Sequence, residues 1–227
     1  MRVGLIVPSS NTVMERDLHR EMDAWAEVHT ARMRLVHVTP EAEQEMLDSE
    51  ALPAARRLGD THPDVVVFGC TSASSLHGPA YDEEFRSRLA EAAGAPVVGV
   101  LSSVVAELAS AGAVALFTPY VEALTSRIRD SLLAGGIPVV TTACLGLRQN
   151  LDIGALTPDE ILASVTAMNL SDAKVLFCSC TNLRAYEAID PLQAKTGLPV
   201  VTSNQAVVAQ LRALTEIPDQ TLAHTPK

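Results

Sequence analysis

An α/β fold in two similar halves, each a four-stranded parallel sheet with helices on both faces, is what the sequence predicts. Three observations predict it. Short apolar, β-branched runs alternate with helical patterns along the whole chain, which is the spacing of parallel strands joined by crossover helices. The runs are nearly continuous rather than alternating, as expected of strands buried on both faces. The chain also repeats itself: GAPVVGVLSSVVAEL at 94–108 matches GLPVVTSNQAVVAQL at 197–211 in eight of fifteen positions without a gap.

The first strand is VGLIVP, 3–8, ended by Pro8, which cannot donate to a ladder. A helix near 12–25 follows, with Met14, Met22 and Trp25 at packing positions. The run 29–38 reads as the second strand and 41–58 as a helix. DVVVFG at 64–69 is the third strand, a helix covers 81–93, and PVVG at 96–99 is the fourth strand, followed by a helix at 101–111. AVALFT at 113–118 restarts the pattern. A helix at 120–134, a strand at 138–144 and a helix at 158–169 come next. AKVLFCS at 173–179, a helix at 183–195, PVVT at 199–202 and a helix at 204–214 complete it. DVVVFGCT at 64–71 falls on KVLFCSCT at 174–181, and RVGLIVPSS at 2–10 on AVALFTPYV at 113–121. The offsets are nearly equal, as a duplicated βαβαβαβα unit requires. The first lobe then spans 1–100 and the second 101–202. Helix 203–215 is expected to cross back and complete the first lobe, because helix 101–111 lies at the same point of the repeat. Residues 217–227 lack apolar periodicity and read as a disordered tail.

The chain has 227 residues and is 48% apolar, enough for one large core or two small ones. Aromatic residues are only 4%, which argues against a stacking platform for single-stranded nucleic acid. A net charge of −10 without a basic cluster excludes DNA, RNA and anionic membranes as expected partners. The N-terminal apolar run is too short for a signal peptide, and no segment approaches a membrane span. A cytoplasmic protein is expected. Cys70, Cys144, Cys178 and Cys180 form no CxxC pair, and Cys178 and Cys180 would point to opposite faces of a strand. Neither a disulfide nor a metal site is expected.

Cys70 and Cys180 stand at matching strand ends, each followed by threonine. Ligands of open α/β sheets bind beyond the carboxyl ends of the strands, so two facing lobes would bring both thiols to one cleft from opposite sides. A thiolate is a base toward a carbon acid and a nucleophile toward an activated alkene, and backbone N–H groups around it lower its pKa. Thr71, Ser72, Ser74 and Ser75 follow one thiol, and Thr181 and Asn182 follow the other. Ser9, Ser10, Asn11 and Thr12 follow the first strand, with Tyr120 at the corresponding place of the second half. Such residues cradle a carboxylate or simply cap helices. Cys144 and Cys178 read as core. His77 either tunes Cys70 or lies exposed in its loop. Arg184 either meets a carboxylate or forms a surface ion pair.

Taken together, these motifs resemble the aspartate/glutamate racemase superfamily, most closely its maleate cis–trans isomerase and arylmalonate decarboxylase branch. The matching pieces are VPSSNT at 7–12, ARMRL and VTPE within 31–41, FGCTSAS at 68–74, ALFTPY at 115–120, LGLRQNLDIG at 145–154 and CSCTNLR at 178–184. The resemblance implies two pseudo-symmetric, flavodoxin-like lobes and a cofactor-free site between them, in a homo-oligomer, dimer or tetramer. It implies that Cys70 adds to one alkene carbon of maleate, giving a succinyl thioether. Cys180 supplies and retrieves the proton at the other carbon, and Asn11, Tyr120 and Asn150 hold the carboxylates. Ser9, Thr71, Ser72, Thr181 and Asn182 are further expected substrate contacts. Amino-acid racemases of the superfamily carry an acidic residue after the first strand and a histidine after the second Cys-Thr. Here Ser-Ser-Asn and Asn182 stand there, and no anionic partner for an ammonium group is evident in the cleft loops. Arylmalonate decarboxylases lack the first cysteine. A two-thiol racemase of an amino acid or a derivative such as a hydantoin stays open, as do an arylmalonate-type decarboxylase and a non-catalytic carboxylate-binding module.

Overall fold

The structure, a computed structural model, describes residues 1–216. The first half runs β1 (Arg2–Pro8), α1 (Met14–Met22), β2 (Glu27–Met33), α2 (Pro40–Ser49), α3 (Ala51–Gly59), β3 (Val65–Phe68), α4 (Thr71–Ser74), α5 (Pro79–Ala93), β4 (Val97–Gly99) and α6 (Val100–Leu108). The second runs β5 (Val114–Thr118), α7 (Glu122–Ala134), β6 (Val139–Cys144), α8 (Asn150–Ala155), α9 (Pro158–Thr166), β7 (Val175–Cys178), α10 (Ile189–Thr196), β8 (Val200–Thr202) and α11 (Ser203–Glu216). The proposed tail, 217–227, lies outside the described residues.

The strands form two four-stranded sheets, β2-β1-β3-β4 and β6-β5-β7-β8, and every pair within them is parallel. Val3 pairs with Val65 in one sheet and Val114 with Val175 in the other, so the two halves repeat in register as well as in sequence. The central strands β3, β5 and β7 are buried along their whole length, which explains their unbroken apolar runs. Phe68, Phe117 and Phe177 anchor the core beneath the site. In each sheet the strand order reverses beside the first strand of its lobe. The crevice at such a reversal lies over the carboxyl ends of β1 and β3, and of β5 and β7. Helix α11 packs on α6, α1 and β4 as well as on β8. Among the described residues no helix is long and apolar enough to cross a membrane, and no group of three or more His, Cys, Asp or Glu side chains is placed to hold a metal ion.

The short helices α4 and α8 have no counterpart in the sequence expectation, and three expected elements take a different course. The strand expected over 29–38 leaves its sheet after Met33, because β1 ends at Pro8 and offers nothing further to pair with. The chain stays extended but crosses to the other lobe. There Val38 N–H donates to the Arg148 carbonyl at 2.7 Å and Asn150 N–H to the Val36 carbonyl at 3.1 Å. The helix expected over 41–58 breaks between α2 and α3, since Pro53 has no N–H for the Ser49 carbonyl. The helix expected at 183 starts only at Ile189, with Pro191 in its first turn, where proline is tolerated.

Gly69 joins β3 to Cys70, and its N–H donates to the Ile6 carbonyl at 2.7 Å. A Cβ there would stand 2.7 Å from Met14 Sδ and 2.9 Å from the Ile6 carbonyl oxygen, closer than packed atoms approach. Gly69→Ala is therefore expected to destabilise the protein by about 1–3 kcal/mol through overpacking. Urea unfolding checks this, and an unchanged midpoint would show that the β1–β3 crevice can yield.

Candidate active site

Cys70 and Cys180 line one pocket between the lobes, together with Asn11, Ser72, Tyr120, Asn150, Thr181 and Asn182. Pro8, Leu35 and Val38 close it. Both thiols are buried and free. The loops after β1, β3, β5 and β7 deliver most of these residues, the segment after β6 brings Asn150 and that after β2 brings Leu35 and Val38, so the site lies over the reversal points of both sheets. Its volume is about 10 Å³, room for roughly one water molecule. As it stands the pocket is smaller than a four-carbon acid.

The walls are tied across the lobes. Asn11 Nδ2 donates to Thr181 Oγ1 at 3.2 Å, and Thr181 Oγ1 donates to the Gly69 carbonyl at 3.1 Å. Thr12 N–H donates to Asn182 Oδ1 at 2.8 Å. Asn182 Nδ2 donates to the Asn150 carbonyl at 2.6 Å and to Asn150 Oδ1 at 3.0 Å. Asn150 Nδ2 donates to Ser10 Oγ at 2.9 Å. Asn11 serves both readings the sequence allowed. Its Oδ1 accepts from the N–H groups of Val13 and Met14 at the start of α1, while its amide lines the pocket.

The two thiols sit in different surroundings. Burial pushes Cys180 up to about 12. Against that work the Tyr120 hydroxyl and the Asn182 N–H at 3.2 Å, both donating toward Sγ, while the nearby Leu183 N–H bonds the Cys180 carbonyl. Burial also raises Cys70, and the carboxyl of Glu43 raises it further, with only the Ala73 N–H and the Ser72 hydroxyl opposing. Burial, with both thiols near its hydroxyl, raises Tyr120 well above the ordinary phenol value, so it remains a donor. The expectation that loop N–H groups would make ready thiolates is thus corrected: in the closed pocket desolvation outweighs them, and both sulfurs rest as thiols.

Not every expected residue reaches the pocket. Ser9 is exposed, its hydroxyl accepting from the Leu35 N–H at 3.1 Å. Thr71 is buried behind the wall and donates to Ser203 Oγ at 3.0 Å. His77 is exposed and bonded to Gln44, so it does not tune Cys70. Arg184 forms an ion pair with Glu187 at 2.8 Å. Cys178 is fully buried on β7, as expected. Cys144 is not core: it lies partly exposed on the edge strand β6, and its Sγ donates to Glu122 at 3.2 Å.

The residue the sequence reading missed is Glu43. It is completely buried, and Ser72 Oγ donates to its Oε1. An acidic side chain therefore does stand beside the cleft, on α2 and one side chain behind its wall, although burial raises its pKa. The signal was present in the pattern. Glu43, Met46 and Leu47 form the buried face of α2, and an acid at the first of those apolar positions is anomalous.

Fold and site define a two-lobed α/β protein in which each lobe contributes one thiol to a pocket walled by carboxamides. A family model described as arylmalonate decarboxylase matches residues 3–225, and the chain belongs to that family. It is 31% identical to a maleate isomerase of Alcaligenes faecalis, over 92% of this chain and 89% of that protein. Among solved structures it is similar to an alanine-for-cysteine variant of the maleate isomerase Iso from Pseudomonas putida S16 with maleate. There the TM-score is 0.87 at 28% identity, over 95% of this chain and 92% of that one. It is also similar to a serine-for-cysteine variant of the Nocardia farcinica maleate cis–trans isomerase with a covalently bound succinylcysteine intermediate, with a TM-score of 0.88 at 25% identity over 94% and 92% of the two chains.

Proposed function

We propose that the chain isomerises maleate to fumarate, with Cys70 as nucleophile and Cys180 as acid and base. The observation that carries this reading is the pair of thiols on one pocket, each from a different lobe. A single thiol can add to an alkene but cannot also deliver and recover a proton at the neighbouring carbon. In the proposed cycle Cys70 gives up its S–H proton to a base beside it, its Sγ–carbon bond forms as the C=C π bond breaks, and the Cys180 proton passes to the adjacent carbon; elimination returns each proton. The resulting single bond rotates. Cys180 then retakes a proton from that carbon, the S–C bond breaks and fumarate leaves.

The surrounding donors suit the charge that develops. Addition drives electron density into a carboxylate-conjugated carbon, and fixed donors stabilise it there. Tyr120 and the amides of Asn11 and Asn150 supply them, whereas both N–H groups of the Asn182 amide are held by Asn150. The Asn11 and Asn150 NH₂ groups each spend one N–H on a wall hydroxyl and keep a second for a substrate oxygen. Tyr120 and the Asn182 N–H support the thiolate that Cys180 becomes after protonating carbon.

A proton NMR time course in D₂O tests the reading. Maleate is expected to lose signal as fumarate gains it. Maleate left unchanged, with the α-proton of aspartate, glutamate or a substituted hydantoin exchanging instead, would keep the thiol pair and replace isomerisation with racemisation.

A further inference from the structure

Glu43 has no part in that cycle, yet it is the acid placed nearest to it. Its side chain is wholly buried on the inward face of α2. Oε1 is bonded to Ser72 Oγ, and Ser72 Oγ lies 3.8 Å from Cys70 Sγ. The other oxygen, Oε2, is buried without a hydrogen-bond partner among the described residues. An idle buried carboxylate of this kind costs stability and is rarely kept without a task. Three groups therefore stand in a row, carboxyl, hydroxyl and thiol, and the hydroxyl can donate to one neighbour while accepting from the other.

We propose that Glu43 serves Cys70 as a positioning residue acting through Ser72, taking up the thiol proton as the carbon–sulfur bond forms and returning it when that bond breaks. In the forward step the Cys70 S–H proton passes to Ser72 Oγ, and the Ser72 hydroxyl proton passes to Glu43 Oε1. The sulfur electron pair released in this way forms the bond to carbon. Cys180 protonates the neighbouring carbon, so the reactive form, with Glu43 ionised, begins with one negative charge on Glu43 and ends with one on Cys180. No second charge is created in a pocket that already receives a dianion. Elimination reverses each transfer.

The surroundings of the carboxyl agree. Helix α3, packed on α2, turns only Ala51, Ala54, Ala55 and Leu58 inward, and α4 carries no ionisable side chain. The ionisable groups that act on Glu43 or feel its charge are Cys70, Cys180, Tyr120 and Arg127. Burial lifts the carboxyl to about 8, against the Ser72 hydrogen bond and the more remote Arg127. Burial raises the Cys70 thiol as well, so the carboxyl is the stronger acid of the two and the geometry of the row, with Ser72 between them, is what lets a proton pass.

The addition step rests on the isomerase reading, but the shared proton does not, and it can be tested without substrate. Iodoacetamide labelling of Cys70, followed by mass spectrometry across pH, reports its thiolate. In the unmodified protein the rate should climb about tenfold per pH unit up to a break near 8, then level as Glu43 and Cys70 compete for one proton. In Glu43→Gln the break should vanish and the climb continue. Profiles of the same shape in both proteins would overturn the proposal, whichever acid is the substrate. Turnover of maleate gives a second reading through Ser72→Ala, which leaves the carboxyl in place. Its kcat should fall about 100-fold with KM within about threefold, as in Glu43→Gln, and the double variant should fall no further because the two act as a unit. Losses that multiply in the double variant would also overturn it.

Discussion

Cys70→Ala is expected to lower kcat/KM for maleate by about four orders of magnitude or more, the scale seen when a nucleophile is deleted from a site whose other groups remain. The loss should fall almost wholly on chemistry. The donors that hold the carboxylates are contributed by Asn11, Tyr120 and Asn150, none of which is hydrogen-bonded to the Cys70 sulfur. Cys70 caps α4 through its backbone and not through its side chain, so alanine leaves the turn intact. Thermal stabilisation by maleate should therefore persist in the variant while fumarate production stops. Cys70→Ser should be equally inactive, because an alkoxide in this desolvated pocket is less accessible still than the thiolate. Turnover that survives either change would remove the thioether from the mechanism and leave Cys180 as the lone reactive group. That is the arrangement a decarboxylase of this family would need.

What could be read from the sequence, and what could not, divides along a physical line. Parallel strands buried on both faces write continuous apolar runs, so β1, β3, β5 and β7 were legible. The thiols were legible with them, because a strand end is a local feature and the repeat marked it twice. Properties that depend on which neighbour a segment meets were not legible. Cys144 looks like the end of any other strand, but β6 is an edge strand and its thiol turns to Glu122. Residues 34–38 have the composition of a strand and are extended, yet they pair with 148–150 of the other lobe and roof the site. Glu43 lies on that same crossing from β2 into α2. Its role is invisible until the roof and α4 are brought together, since Ser72 is the group that links it to the chemistry. The duplicated framework was thus readable in one dimension, whereas the asymmetry that distinguishes the two thiols came only from tertiary contacts.

Cys180→Ser should trap the intermediate: incubation with maleate is expected to leave a covalent adduct, one maleic acid in mass, on Cys70 and nowhere else. The reason lies in the unequal demands of the two halves of the cycle. After Cys70 adds, the neighbouring carbon is strongly basic and takes a proton from a weak donor, including the serine hydroxyl or a water. Elimination requires a proton to be pulled from carbon next to a carboxylate, and serine offers no base for it. Addition is slowed, while release is nearly stopped, and the thioether accumulates. Tyr120 and the Asn182 N–H sharpen the contrast. In the unmodified protein they donate to the sulfur of Cys180, supporting the thiolate that must wait for the carbon to rotate. Intact-mass and peptide-mapping spectrometry after denaturation reads the result, and Cys144 provides an internal control. It is the only one of the four thiols that is not buried, so uncatalysed addition would label it first. Label on Cys144 alone, or none at all while fumarate still forms, would refute the assignment of base to Cys180. Label on Cys70 alone would fix the direction in which the two thiols divide the reaction.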